Sequence, residues 1–501
     1  MQKLGALDGN FLYTETEKVP NHVSSVQIFE LPSQQNFDQY FSSLKEFYSA
    51  RIHLIPYLTR VLKFVPGNVD HPVWVNAPQF DIDNHITHVA LDAPGSFEQL
   101  ELKIAQIHAE LMDRSKPLWK LFVISGLKNG TIAFYNQAHH ACIDGASGQA
   151  ATMIMMGSTA EIDQVAPAPL ESSSDESMAE LFRLSLANFF NTQVEGPSRL
   201  LGNLDAAARF TRLALERSTE VGVAMRPAPR TRFNRMVDKK RTFAAGEMSV
   251  VKLKAMGKVM NCKLNDIFMA ICAGGLRRYL ERSNELPNRQ LKAGCPVSLR
   301  EPGCSKMDNQ VTMMTVGLAT DIRDPLLRLQ AIINSSKIAK DMVQATLPSY
   351  RPNISLYGLP AGITAAAKMA ETLKLAEAAQ PFCNVVISNV PGPRAALYSN
   401  GARMLTHYPV SIPIHGQGLN ITATSYIDQL YFSMSACALA LPDATELRDD
   451  IATAYNELMS LLLPNSNKIA ILQPQTAAIA CQDVLEGDAQ VRPAQDYKEA
   501  S

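Results

Sequence analysis

Apolar and polar positions alternate in short runs within two separated regions, and a stretch of helical periodicity lies between them. Lys120 to Leu127 (KLFVISGL) and Thr131 to His139 (TIAFYNQAH) flank Lys128-Asn129-Gly130. Two apolar runs around Asn-Gly predict a β-hairpin, because that pair accepts the positive φ of a type I′ turn. Asn420 to Tyr426 and Leu430 to Ala438, joined through Ile427-Asp428-Gln429, predict a second antiparallel pair. Asp443 opens a predicted helix with Glu446 as its capping-box partner. Leu447, Ile451, Tyr455, Leu458 and Leu462 give that helix one apolar stripe. Between the two regions, Leu181, Leu184, Leu186, Phe189 and Phe190 recur at roughly helical spacing.

Two stretches punctuate this pattern. Gly157 to Ser177 is small and polar without periodicity, and Ser218 to Arg235 brings prolines and arginines into an extended run. A third break follows Leu463. The chain is therefore expected to divide into a first lobe over 1–177, a connecting helical segment and linker over 178–241, a second lobe over 242–463 and a flexible polar tail over 464–501. Both lobes read as α/β or α+β with antiparallel character.

Composition narrows the class. In 501 residues, 47 Lys plus Arg stand against 48 Asp plus Glu, a formal net charge of -1. A chain that lives on phosphate backbones carries a basic excess, so no nucleic-acid partner is expected. Hydrophobic residues make up 46% and charged residues 19%, ample for a buried core and too little charge for a disordered chain. No window holds the 18 or so apolar residues of a spanning helix, and the first residues lack an apolar leader. The eight cysteines form no C-x-x-C pair, which argues against a zinc cluster or a disulfide framework. A soluble cytoplasmic chain is the expectation, with peripheral contact to the inner face of the membrane or to lipid inclusions as a further one.

The sharpest chemical feature is His139-His140-Ala141-Cys142-Ile143-Asp144-Gly145, where the second hairpin strand ends. Period-two alternation puts Phe134, Asn136, Ala138 and His140 on one face and Tyr135, Gln137 and His139 on the other. Asp144-Gly145 breaks the strand, and an apolar helix is expected to resume at Gly148. An imidazole at a strand end can take a proton from an alcohol at neutral pH and return it to a leaving thiolate. A histidine pair alone is more often structural or surface than catalytic; Asp-Gly at fixed spacing after a strand reverses that balance toward the chemical reading. Metal binding is the poorer alternative, since adjacent strand histidines face opposite ways and no carboxylate completes a site.

HHACIDG matches the HHxxxDG motif of the CoA-dependent acyltransferase superfamily, which includes peptide-synthetase condensation domains. The surrounding blocks resemble the bacterial wax ester synthase/diacylglycerol acyltransferase family. These are Leu4-GALDGNFLYTE with Pro20-Asn21-His22-Val23, Pro72-VWVNAPQFDIDNHI, Asp113-RSKPLW, Ala228-PRTRFN and Leu264-Asn265-Asp266-Ile267. Pro296-VSLR, Ser388-NVPGP and Leu419-NITATSY follow in family order. The match spans roughly residues 1–463. Lys120 stands where the family often has Glu, and Asp308-Asn309 where it often has Gly-Asn.

The resemblance implies a two-lobed α/β fold with mixed or antiparallel sheets and a tunnel between the lobes. It implies an O-acyltransferase moving a long-chain acyl group from acyl-CoA to diacylglycerol or a long-chain alcohol, giving triacylglycerol or wax ester. Acyl-CoA is a substrate, and no cofactor or metal is expected. A condensation-like enzyme acting on carrier-protein thioesters and a non-catalytic lipid-droplet surface protein are the alternatives. Carried over by position, His140 is the general base, His139 a supporting residue and Asp144 a structural or orienting one. Gly145 serves a turn or a close approach by the thioester. Asn265 reads equally as a helix cap or as a site residue on its own, and the resemblance favours the site. Cys142 is not expected to be a nucleophile. Met153 and Met156, within the run Met153 to Met156, are expected to line the tunnel, and Leu181 to Phe190 reads either as a lipid-facing surface or as ordinary interlobe packing.

Overall fold

Three sheets carry the described strands of the computed structural model, which covers residues 2–163, 196–300, 309–346 and 360–464 with six positions between 165 and 185. A small one joins β1 (Gln2–Lys3), β3 (Arg60–Lys63) and β4 (Val73–Asn76). The first six-stranded sheet contains β2 (His22–Glu30), β5 (Ile86–Ala90), β6 (Trp119–Ser125), β7 (Ile132–His139), β12 (Tyr398–Ser399) and β13 (Ala402–Val410), in the order β12-β13-β2-β7-β6-β5. The second contains β8 (Arg241–Ser249), β9 (Lys292–Ser298), β10 (Val311–Gly317), β11 (Val385–Val390), β14 (Leu419–Tyr426) and β15 (Gln429–Cys437), in the order β10-β9-β11-β14-β15-β8. Most neighbours are antiparallel; β5 with β6, and β11 with both β9 and β14, run parallel. The α/β class with mixed sheets is as the sequence led one to expect.

Both predicted hairpins form, and one differs at its turn. β14 and β15 pair from Leu419–Ala436 to Tyr426–Gln429 around Ile427-Asp428, with Ile427 at φ 53°. β6 and β7 pair with Lys120 opposite Gln137, but the strands stop at Ser125 and resume at Ile132. Of Asn129-Gly130, only Gly130 has a positive φ, 71°, so the turn is not type I′. The longer loop packs on Gly95 (φ 66°), where a Cβ would lie 1.8 Å from the Gly126 carbonyl oxygen. The helix Ala444–Leu462 is capped by Asp443 through the Thr445 N–H at 2.9 Å. Its expected capping box does not form: Asp443 caps the Thr445 rather than the Glu446 N–H, and Glu446 turns to Arg282 at 3.5 Å.

Two strands, β12 and β13, cross between the expected lobes. β13, from the C-terminal half, pairs with β2 from Arg403–Glu30 to Val410–Ser24 and so belongs to the first sheet. It satisfies the free edge of β2 and buries Met404, Tyr408 and Val410 in the N-terminal core. A division of the chain at residue 242 is thus not the division of the sheets.

Alternation along β14 explains how the second sheet serves two purposes. Leu419, Ile421 and Ala423 pack into a core with the helices Leu264–Arg282 and Ala444–Leu462. Asn420, Thr422 and Thr424 line a cavity on the other face, toward the first sheet. Among the described residues, no helix is long and apolar enough to cross a membrane. Leu181, Leu184, Leu186, Phe189 and Phe190 lie outside the described residues, as does the tail beyond 464.

Candidate active site

β7 delivers the histidine pair to the edge of that cavity. His139 is its last residue and faces the N-terminal core, fully buried. His140 follows, its backbone N–H still donating to the Asn21 carbonyl at 2.8 Å as if the ladder with β2 continued. The chain then turns sharply: the Ala141 N–H donates to His139 Nδ1 at 3.0 Å, and the Cys142 N–H to the His139 carbonyl at 2.8 Å. The cavity, about 640 Å³, is walled by both sheets and roofed by the helix Gly145–Met155, which presents Gly145, Gly148, Thr152 and Met155 to it. That volume lies within the range of small-molecule sites.

The His140 ring stacks on Phe11, with centroids 3.9 Å apart and planes at 6°. Its Nδ1 is buried without a hydrogen-bond partner, and the residue is among those that line the cavity. Burial lowers the pKa of the ring to about 4, although its own carbonyl, Asp144 and Asn309 favour the charged form. Neutral imidazole is the state a proton acceptor needs.

His139 sits against a buried carboxylate. Its Nδ1 accepts from the Ala141 N–H, which turns Nε2 toward Glu15, 3.2 Å from Oε2. Glu15 is itself tied to Arg114 Nη2 at 2.7 Å and accepts from the Asn21 N–H at 2.9 Å. Burial alone raises the Glu15 carboxyl, yet His139, Arg114 and the Asn21 amide bring it down to about 2. Asn21 also donates to the Phe11 carbonyl at 2.8 Å, so one asparagine braces both the histidine backbone and the ring stacked on His140.

The hydrogen bonds of the Asp144 carboxylate go to Ser147, Arg300 and the Gln310 N–H rather than to the imidazole. Asp144 is the N-cap of the helix Gly145–Met155, in a reciprocal capping box with Ser147, so that helix starts three residues earlier than its apolar run suggests. Its Oδ2 pairs with Arg300 Nη2 at 3.0 Å, bridging the two halves. Burial raises its carboxyl, and Ser147 and Arg300 together hold it below the usual carboxylate range. A Cβ on Gly145 would sit 2.9 Å from Val390 Cγ2, so the tight approach here is to β11 rather than within the turn.

The asparagine beside His140 is Asn309, not Asn265. Asn309 Nδ2 donates to the His140 carbonyl at 2.7 Å and to Asp8 Oδ1 at 2.6 Å, and its backbone N–H reaches the same Asp8 oxygen at 2.9 Å. Asn265 lies half-buried in the first turn of Leu264–Arg282, is not among the cavity residues and does not cap that helix, whose N-cap is Lys263. The reason is topological: that helix packs on the face of the second sheet opposite the cavity. Met156 lines the cavity as expected, but Met153 does not and is exposed, since a helix that turns Thr152 and Met155 inward turns residue 153 outward. Cys142 is buried off the cavity, and burial with the nearby Asp8 carboxylate pushes its thiol well above the ordinary range. Glu15, Asn309, Asp8 and Arg300 all sit in the motif blocks, but no local pattern assigns them a partner. Among the described residues, no group of three or more His, Cys, Asp or Glu is placed to hold a metal ion.

Comparison with known proteins places this constellation. Residues 4–268 match the model of the wax ester synthase/diacylglycerol acyltransferase catalytic domain, and residues 307–459 that of the C-terminal domain of the same family. The chain belongs to this family. O-acyltransferase WSD of Acinetobacter baylyi is 32% identical over 453 residues, 88% of this chain and 93% of that protein. The solved wax ester synthase/diacylglycerol acyltransferase from Marinobacter aquaeolei VT8 superposes with a TM-score of 0.65 at 26% identity, covering 92% of this chain and 99% of that one. The first condensation domain of the CDA synthetase, 14% identical with a TM-score of 0.54 over 91% of this chain and 95% of that one, shares the fold.

Proposed function

We propose that this member of the family is an O-acyltransferase that moves a long-chain acyl group from acyl-CoA to diacylglycerol, a long-chain alcohol or both. The observation that carries the reading is His140 lining a cavity between two sheets, with Met155, Met156 and Val386 among its apolar lining. In the proposed step, Nε2 accepts the proton of the acceptor hydroxyl as its oxygen attacks the thioester carbonyl carbon. The C–S bond of the tetrahedral intermediate then breaks, and the departing thiolate takes the proton back from Nε2. Atoms and charge balance between the two substrates, so neither an acyl-enzyme nor a cofactor is required. His139, held by Glu15, and Asp144, held by Ser147 and Arg300, keep the loop rigid; they are positioning residues in this account. Gly145 lets β11 close on the site.

We further infer a cytoplasmic enzyme that meets its apolar acceptor at a lipid surface. The test is to supply purified protein with a long-chain acyl-CoA and either diacylglycerol or a long-chain alcohol, then identify the lipid product by mass spectrometry. Triacylglycerol or wax ester formed in step with free CoA supports the reading. Consumption of neither acceptor, or activity only with a carrier-protein thioester, contradicts it.

A further inference from the structure

A buried polar group is normally hydrogen-bonded, and one left unmet costs stability unless a ligand completes it. His407 and Thr424 are each 1% exposed and line the cavity from opposite walls, one on each six-stranded sheet. His407 Nδ1 and Thr424 Oγ1 have no hydrogen-bond partner.

The His407 ring is held from its other side. Asn136 Nδ2 donates to Gln27 Oε1 at 2.9 Å, which turns Gln27 Nε2 to His407 Nε2 at 3.4 Å. Nδ1 is therefore the hydrogen-bonding position left to the ring. Across the cleft, Tyr431 Oη donates to the Leu405 carbonyl at 3.2 Å, and Ser433 Oγ to that of Pro409. Tyr431 and Ser433 pair with Thr424 and Thr422 of β14. His407, midway between Leu405 and Pro409, is thereby set against that stretch of β14. Thr424 turns its methyl to Gly392, where a Cβ would lie 2.8 Å from it.

Strand register also separates His407 from the reacting centre. Asn136 and His140 stand on one face of β7, four residues and about 13 Å apart. His407 lies beyond Asn136, because its partner Gln27 pairs with Phe134, two residues further from His140. The ester oxygens of a diacylglycerol, a few bonds from its reacting hydroxyl, fall short of this point. The carbons of a long chain reach it but offer no hydrogen bond.

We propose that His407 and Thr424 form a polar clamp for a hydroxyl group carried at the distal end of a long-chain substrate. A hydroxyl both donates and accepts, so it suits the imidazole nitrogen and the threonine alike. The proposal rests on the acyltransferase reading for the direction of the chain, and adds a substrate class to it: chains oxygenated far from the reacting carbon.

The test compares hexadecanol with the α,ω-diol of the same length, and butanol with its diol, as acceptors for a long-chain acyl-CoA. After allowance for its two reactive ends, the long diol should be favoured by wild type about tenfold in kcat/KM, the worth of one completed buried hydrogen bond. The short diol cannot span the distance and should gain nothing. Thr424→Val and His407→Leu should each remove most of the long-diol preference. Thr424→Val deletes a hydroxyl that bonds nothing in the protein, so its melting temperature should not fall; a fall marks a structural hydroxyl and overturns the proposal. An ω-hydroxyacyl-CoA set against the plain acyl-CoA forms a second arm, and a variant-sensitive preference there supports the clamp with the hydroxyl on the acyl chain. No preference in either arm, or one that both variants keep, means that the pair holds water only and overturns the proposal. So does a KM for acyl-CoA raised alike with every acceptor, which assigns the pair to the CoA arm. Displacement of a fluorescent fatty acid by the same alcohols reads binding without turnover. A diol preference there without any CoA release would sink the acyltransferase reading and leave the clamp standing.

Discussion

Asn309 holds the backbone carbonyl of His140 at 2.7 Å, from a strand-entry segment far along the chain. The same amide is anchored by Asp8, so three remote segments meet at the proposed base. Asn309→Ala removes both side-chain bonds and is expected to destabilise the fold by about 1–3 kcal/mol. Because it loosens the base rather than the substrate, kcat should fall by about 10- to 100-fold with KM little changed. Asn309→Asp should be worse, since it sets a second carboxylate against Asp8. Steady-state kinetics and thermal melts of both variants check this, and an unchanged kcat would refute it.

Gly145 and Val390 give a test of how closely the sheets meet. In a helix, alanine is favoured over glycine by about 1 kcal/mol. A Cβ at 145 would nevertheless lie 2.9 Å from Val390 Cγ2. Overpacking of this kind costs about 1–3 kcal/mol, so Gly145→Ala should lower the melting temperature despite its helix preference. Adding Val390→Ala should recover part of the loss. If Gly145→Ala alone is stabilising, the approach is looser than described.

Cys142 stands inside the motif yet outside the cavity, with its thiol held neutral by burial. Cys142→Ala is expected to keep most of the rate, and no acyl adduct should appear by intact-protein mass spectrometry on mixing with acyl-CoA. An inactive variant, or a trapped adduct lost with Cys142, would favour a covalent route.

The pH profile follows from the His140 environment. Its folded pKa is about 4, below the ordinary histidine value, and the base works only when unprotonated. kcat/KM should therefore be flat from neutrality down to mildly acid pH and fall as pH drops through about 4. Stability has the same sign: the folded state excludes protons from His140, His22 and His407, whose folded pKa values all lie near 4. It should be unaffected by these groups above about 6.5 and decline as pH falls from there toward 4. Rates taken in brief pH jumps separate the two, and an acid limb centred near 6.5 would contradict the burial of the ring.

Local pattern revealed much of this molecule, and its limits are physical. The His139-His140 strand end, both hairpins and the Asp443 helix follow from periodicity and turn chemistry, which act over a few residues. Alternation also says which face a residue takes, but not which strand lies beside it. β13 therefore gave no sign that it would complete the N-terminal sheet. Asn265 looks suited to the site on paper, and only the packing of Leu264–Arg282 on the far side of its sheet keeps it from the cavity. Met153 failed through phase, since a run of four apolar residues in a helix cannot all face inward. Glu15 pairs with His139 through tertiary contact alone. The substrate class, by contrast, came from family resemblance rather than from any residue's chemistry.

The most direct measurement is thiol release from long-chain acyl-CoA in the presence of acceptor, wild type against His140→Ala. The account predicts a loss of about 10²–10⁴ in kcat, with the variant still folded by its thermal melt. Equal release from the two proteins would contradict it.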